Sequence, residues 1–245
     1  MENFPAFTDY LLALVFGVII PFASGIRSAA AFEQMQGSFD SATKRRFYLG
    51  NSFFLFLIGL IIVVIWWLYD RPFSELGFTA PQTKEFYVPW WLSALFIVLY
   101  LMDIIVSVRN KDELEKTKEQ MQDKTPFMPS KWKEMPAYIV MCIAAGVCEE
   151  IVYRGFMVNF FKYWMKDVSS VGTWAVIAPA ALFSFAHYYQ GAKAVFKILV
   201  LSLLFGMIFW HSGSLYVVII LHFLVDFISG ILSMKFSAKK ADPIE

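Results

Sequence analysis

The chain has 245 residues, 58% of them hydrophobic, with 26 Phe and a mean hydropathy of +0.57. Soluble domains hold roughly 45–50% apolar residues, so this composition excludes an ordinary soluble domain, and a net charge of +1 offers nothing to nucleic acid. The only two cysteines, Cys142 and Cys148, lie six apart on one helical run and face different ways, which excludes a disulfide framework.

The stretch from Met1 to Asp9 has no Lys or Arg. A secretory signal needs a basic start, so the apolar run after it is expected to be retained as a first membrane span. A helix crossing the hydrocarbon core needs about 17–25 mainly apolar residues. Runs of this kind predict seven spans, at Tyr10–Ile26, Phe47–Tyr69, Val88–Val108, Pro136–Met165, Val171–Tyr189, Ala192–Trp210 and Ser214–Met234. The expected fold is therefore all-α, a polytopic transmembrane helix bundle. An eighth, half-buried segment within Arg27–Phe47 is the alternative count. The joint between the fifth and sixth spans is short and requires a tight re-entry.

Lys and Arg favour cytoplasmic loops. With the N-terminus outside, sixteen basic residues fall inside and four outside, Arg154 being within a span. This predicts an N-out, C-in topology. The segment Arg109–Glu134 carries seven basic and six acidic residues. Lys111/Glu115 and Asp112/Lys116 have i,i+4 spacing, which predicts a solvated helical extension broken by Pro126 and Pro129. No internal repeat or soluble domain is evident. The chain divides into residues 1–134 with three spans, a four-span core over 135–235, and a polar tail over 236–245.

Within these apolar runs lie ionisable residues, each costing roughly 2.5–3.5 kcal/mol at bilayer depth on insertion scales. The densest group is Glu149, Glu150 and Arg154. At 100° per residue, Arg154 is i+4 from Glu150 and can neutralise it, while Glu149 points elsewhere and is left as a free base. Ala144, Ala145 and Gly146 precede the pair and Gly155 follows it, and such small residues allow helices to approach closely. A second group places Phe183 and His187 on one face, and a third does the same for His222 and Asp226. A carboxylate with an imidazole can deprotonate water, and a second imidazole can donate to a developing oxyanion. Three readings remain open from the residues alone: polar contacts between helices, a proton or ion path, or a metal site in which His187, His222 and Glu149 would hold zinc. The His-Glu-x-x-His signature is absent.

Glu149-Glu150-x-x-x-Arg154, Phe183-x-x-x-His187 and His222-x-x-x-Asp226, in this order, resemble the three-motif pattern of the CPBP (Abi) family, which includes type II CaaX prenyl endopeptidases and bacteriocin-processing and bacteriocin-immunity proteins. The resemblance covers about Pro136–Met234. It implies an intramembrane endopeptidase of the glutamate type, in a bacterial cell membrane, with its site facing the cytoplasm. Its substrate would be a membrane-associated peptide or protein: a prenylated CaaX protein, a bacteriocin leader or a quorum-sensing propeptide. By position, Glu149 and His187 would activate water, His222 and Asp226 would stabilise the oxyanion, and Glu150, Arg154 and Phe183 would support them. No cofactor is expected, zinc being the alternative. The family's last motif often ends in Asn where this chain has Asp226, and an ionised Asp offers no donor. A non-catalytic scaffold or immunity protein and a proton- or ion-coupled carrier are the competing functions. By these spans Glu149 lies mid-membrane and His187 near the inner end; a fourth span beginning after Pro136 would bring them level.

Overall fold

The computed structural model describes residues 4–34, 39–82 and 87–238. Among them the regular elements are all helical. Six helices are long and apolar enough to cross a membrane: α1 (Phe7–Phe32), α2 (Ser41–Leu68), α3 (Tyr87–Arg109), α5 (Trp132–Trp164), α7 (Ala192–Ser212) and α8 (Leu215–Ser237). A polar helix, α4 (Lys111–Lys124), precedes α5, and a shorter apolar helix, α6 (Val171–Ala186), follows it.

These helices run between two ends of one bundle. At the first end Asp9 meets Arg71, Asn159 Nδ2 donates to the Glu75 carbonyl at 2.6 Å, and the Leu215 N–H donates to the Gly77 carbonyl at 2.9 Å. At the second, Lys44 Nζ donates to the Met128 carbonyl at 2.6 Å, Ser41 Oγ donates to Glu134, and the Phe32 ring lies 5.3 Å from Phe127 and 5.5 Å from Tyr189. The described chain thus runs from Phe4 at one end to Ser237 at the other.

Local chemistry sets the boundaries. Asp40 caps α2 by accepting from the Thr43 N–H at 2.7 Å, a stop that the backbone needs because the first N–H groups of a helix have no partner within it. α4 is the solvated extension that the charge spacing predicts, with Lys118 paired to Glu115 at 2.7 Å. Gly213, at φ 62°, ends α7 in the left-handed region that glycine enters without strain.

Several spans differ from the sequence reading. The first runs longer, Phe7–Phe32 rather than Tyr10–Ile26, so the described part of Arg27–Phe47 belongs to α1 and α2 and forms no separate eighth helix. The fourth starts at Trp132, ahead of Pro136. The fifth is a helix of only 16 residues, after which a 3-10 turn at Tyr188–Gln190 and Gly191 at φ 88° make the tight re-entry. The sequence reading extends this span to Tyr189 because the aromatic residues of the turn carry no fixed charge to mark the end of the helix. Lys84, Lys239, Lys240 and most of the polar tail lie outside the described residues.

The apolar core joins Ile62 and Trp66 of α2 with Ile151, Phe156 and Met157 of α5, Phe205 and Ile208 of α7, and Leu215 and Val218 of α8. α3 is peripheral: it buries Pro89, Ser93 and Phe96 and turns Trp91, Val98 and Met102 outward, as a helix facing lipid does. α5 is central, and small residues let its neighbours come close. A Cβ on Gly59 would stand 2.9 Å from Cys148 Sγ, and one on Gly146 would stand 3.2 Å from the Phe223 amide nitrogen. These two crossings bring α2 and α8 against the part of α5 that carries Glu149 and Glu150.

Candidate active site

The Glu149–Arg154 cluster does not sit on a regular α-helix. Within α5, Ala145–Glu149 and Ile151–Met157 are π-helical. A π turn closes i→i+5 hydrogen bonds and widens the helix, a form seen mostly as short bulges and frequently at functional sites. The 100° rotation used to separate the two glutamates is therefore only approximate here. Their division still holds: Arg154 Nη1 donates to Glu150 Oε1 at 2.7 Å and both side chains are buried, whereas the Glu149 side chain is 21% exposed.

Arg154 also reaches α7, donating through Nη2 to Ser202 Oγ at 2.7 Å. Its guanidinium lies over the rings of Phe183 and Phe205, at 4.8 and 5.4 Å, where the negative ring faces favour a cation. Ser202 is missing from the sequence reading. A single serine in an apolar run is common in membrane helices, so its only signal was the lack of a second partner for Arg154.

His222, on α8, faces three carboxylates. Its Nδ1 is 2.7 Å from Glu150 Oε1, and its Nε2 is 3.8 Å from Glu149 Oε2 and 3.7 Å from Asp226 Oδ2. Asp226 is one-third exposed, so the group opens to the side on which Glu149 and Asp226 lie. The α8 backbone is fixed here by Tyr138, whose hydroxyl donates to the Asp226 carbonyl at 2.9 Å, and by Tyr100, which donates to the Val225 carbonyl at 3.1 Å.

His187 follows the last residue of α6 with non-helical φ −97° and ψ 17°. Its Nδ1 is 2.9 Å from the Phe183 carbonyl. A carbonyl only accepts, so Nδ1 carries the proton and a neutral ring keeps its lone pair on Nε2. Among the described residues no ion pair within 4 Å joins His187 to Glu149. What links His187 to the group is Phe183, whose ring is 4.7 Å from His187, 6.0 Å edge-on from His222 and 5.0 Å edge-on from Tyr153. α5 starts at Trp132, ahead of Pro136, so the later start of the fourth span that would bring Glu149 and His187 level is not found. Phe183 bridges them instead.

Among the described residues no group of three or more His, Cys, Asp or Glu side chains is placed to hold a metal ion. Cys142 and Cys148 are buried free thiols. His211 lies in the last turn of α7, outside the three motifs.

A bundle of apolar helices with such a polar group at its centre defines an integral membrane protein with an internal site. Residues 131–228 match the family model described as Rce1-like, type II CAAX prenyl endopeptidase Rce1-like. This is a protease family, and the match agrees with the CPBP resemblance: the matched segment contains all three motifs. No curated protein and no solved structure matches the chain.

Proposed function

We propose that this protein is an intramembrane endopeptidase that hydrolyses a peptide bond in a membrane-associated peptide or CaaX-type protein, with water as the nucleophile. The observation that carries this reading is the position of His222 Nε2 between Glu149 and Asp226, two partly exposed carboxylates that, among the described residues, make no ion pair with an arginine within 4 Å. Structural ion pairs are matched and closed. This group has three carboxylates around one imidazole and one guanidinium.

In this reading Glu149 takes a proton from water, with the Nε2 lone pair of His187 as second acceptor, and the water oxygen attacks the peptide carbonyl carbon. The carbonyl oxygen becomes an oxyanion that accepts a hydrogen bond from His222. Collapse of this intermediate breaks the C–N bond, and the proton held by Glu149 passes to the leaving nitrogen. Asp226, which as a carboxylate can only accept, acts by holding His222. In this reading the second end of the bundle, with Lys44, Lys131 and Lys193, faces the cytoplasm, a choice that the bias of basic residues supports, and substrate reaches the site from there. No metal takes part in these steps.

Purified protein in lipid should cleave a membrane-associated peptide, and Glu149→Ala and His187→Ala should each abolish cleavage. Full activity in either variant sinks the assignment. Coupled proton or ion flux in vesicles without cleavage would instead favour a carrier.

A further inference from the structure

The reading of His222 as the oxyanion partner leaves a question of geometry. Its ring can offer an N–H to substrate only through Nε2, since Nδ1 is engaged by Glu150 Oε1 at 2.7 Å. The same oxygen accepts from Arg154 at 2.7 Å, and Glu150 Oε2 has no protein partner among the described residues. A carboxylate serving only as counter-ion to arginine would use both oxygens in a two-pronged pair, as Asp9 does with Arg71. Glu150 instead directs its two strong bonds through one oxygen, to two different helices.

We propose that Glu150 is the positioning residue for His222: it holds the Nδ1 proton and so aims Nε2 into the space between Glu149 and Asp226. Paired with Arg154, the Glu150 carboxylate is an acceptor only, so the bond requires the hydrogen on Nδ1, and an Nε2 that donates to an oxyanion carries a second hydrogen, so the acting ring is an imidazolium. Nε2 is then too far from Glu149 Oε2 and Asp226 Oδ2, at 3.8 and 3.7 Å, for a direct bond to either. A reacting oxygen that comes between the two carboxylates would meet this nitrogen. Arg154 and Ser202 set the position of Glu150 in turn, so the aim of His222 is fixed from α5 and α7. This role rests on the peptidase reading for its purpose but not for its geometry.

The chain has three histidines, so nitrogen-15 NMR of imidazole-labelled protein in lipid resolves the protonation of each. The wild type should show His222 protonated at Nδ1. Glu150→Gln should keep that signal, because the amide oxygen can occupy the Oε1 position and accept the same hydrogen, while Glu150→Ala should lose it. With a cleavable peptide, Glu150→Ala should lower kcat about 10–100-fold, the range for residues that orient an active group, and leave KM unchanged. A bare Nδ1 in the wild type overturns the proposal, as does an unchanged His222 signal in Glu150→Ala. Should Glu150→Ala fail to fold, the wild-type and Glu150→Gln spectra decide alone. An Nδ1–H signal in both, with no peptide cleaved by any form, supports the positioning role while overturning the peptidase reading.

Discussion

Arg71 and Arg154 are both buried and both held at 2.7 Å by a carboxylate, but their surroundings differ. Arg71 uses two nitrogens on the two oxygens of Asp9, and Asp9 also accepts from the Ala6 N–H at 2.7 Å. The rings of Phe4, Trp66 and Tyr69 close around the guanidinium at 4.4–5.3 Å. Charge and hydrogen bonds are matched there, and the pair fastens the start of α1 to the loop after α2. Around Arg154 a single guanidinium and His222 stand among Glu149, Glu150 and Asp226, two of them partly exposed. A buried charge is thus not a sign of chemistry by itself. A surplus of carboxylates, grouped at a widened part of a helix and open on one side, is a much stronger one.

Substitutions can break this contrast. The largest effect is expected at the open group, where Glu149→Ala should take cleavage below detection, a loss of at least the roughly 10²–10⁴ in kcat that a positioned general base contributes, and should leave thermal stability nearly unchanged. A stability loss equal to that of the Arg71 variants would make the two regions alike. Next, Arg71→Met should destabilise the protein by about 3–5 kcal/mol by stranding buried Asp9, read as a fall in melting temperature. Protein that stays folded should keep its catalytic rate. Gly230→Ala should cost about 1–3 kcal/mol as overpacking, because a Cβ there would stand 2.3 Å from the Tyr138 ring that fixes Asp226. Asp226→Asn should keep activity within about tenfold, a change of roughly 1.4 kcal/mol, since Asn can both accept and donate; loss as deep as that of Glu149→Ala would assign Asp226 to the chemistry itself.

The smallest effect is expected at the exposed cap of α2. The bond from the Thr43 N–H holds the Asp40 carboxyl below its ordinary value of 3.8. Its stabilisation should be fully present above that value and fall away as the pH drops through the lower folded one. Loss of this acid sensitivity in Asp40→Ala, measured as melting temperature against pH, checks it.

Much of this was readable in the sequence. Hydropathy finds the helices because a membrane span must be apolar along its whole length, and i,i+4 spacing finds the Glu150–Arg154 pair because both lie within little more than one turn. The π-helical widening was hidden, since nothing in Ala145–Glu149 distinguishes it from an ordinary apolar helix. So was the link between Glu150 and His222, which lie 72 residues apart and meet only because Gly146 admits α8. Lys44 and Arg71 were counted among loop charges, yet both are buried. Their partners Glu134 and Asp9 are distant in sequence, and a tally of loop charge cannot see such pairs.

The central claim is that Glu149 activates water for attack on a peptide bond. Cleavage in water enriched in oxygen-18, followed by mass spectrometry of the fragments, tests it most directly. Wild-type protein should place one heavy oxygen in the new carboxylate, and Glu149→Ala should give no fragment. Labelled product at the wild-type rate from Glu149→Ala, or no cleavage of any membrane-associated peptide by the wild type, would contradict the account.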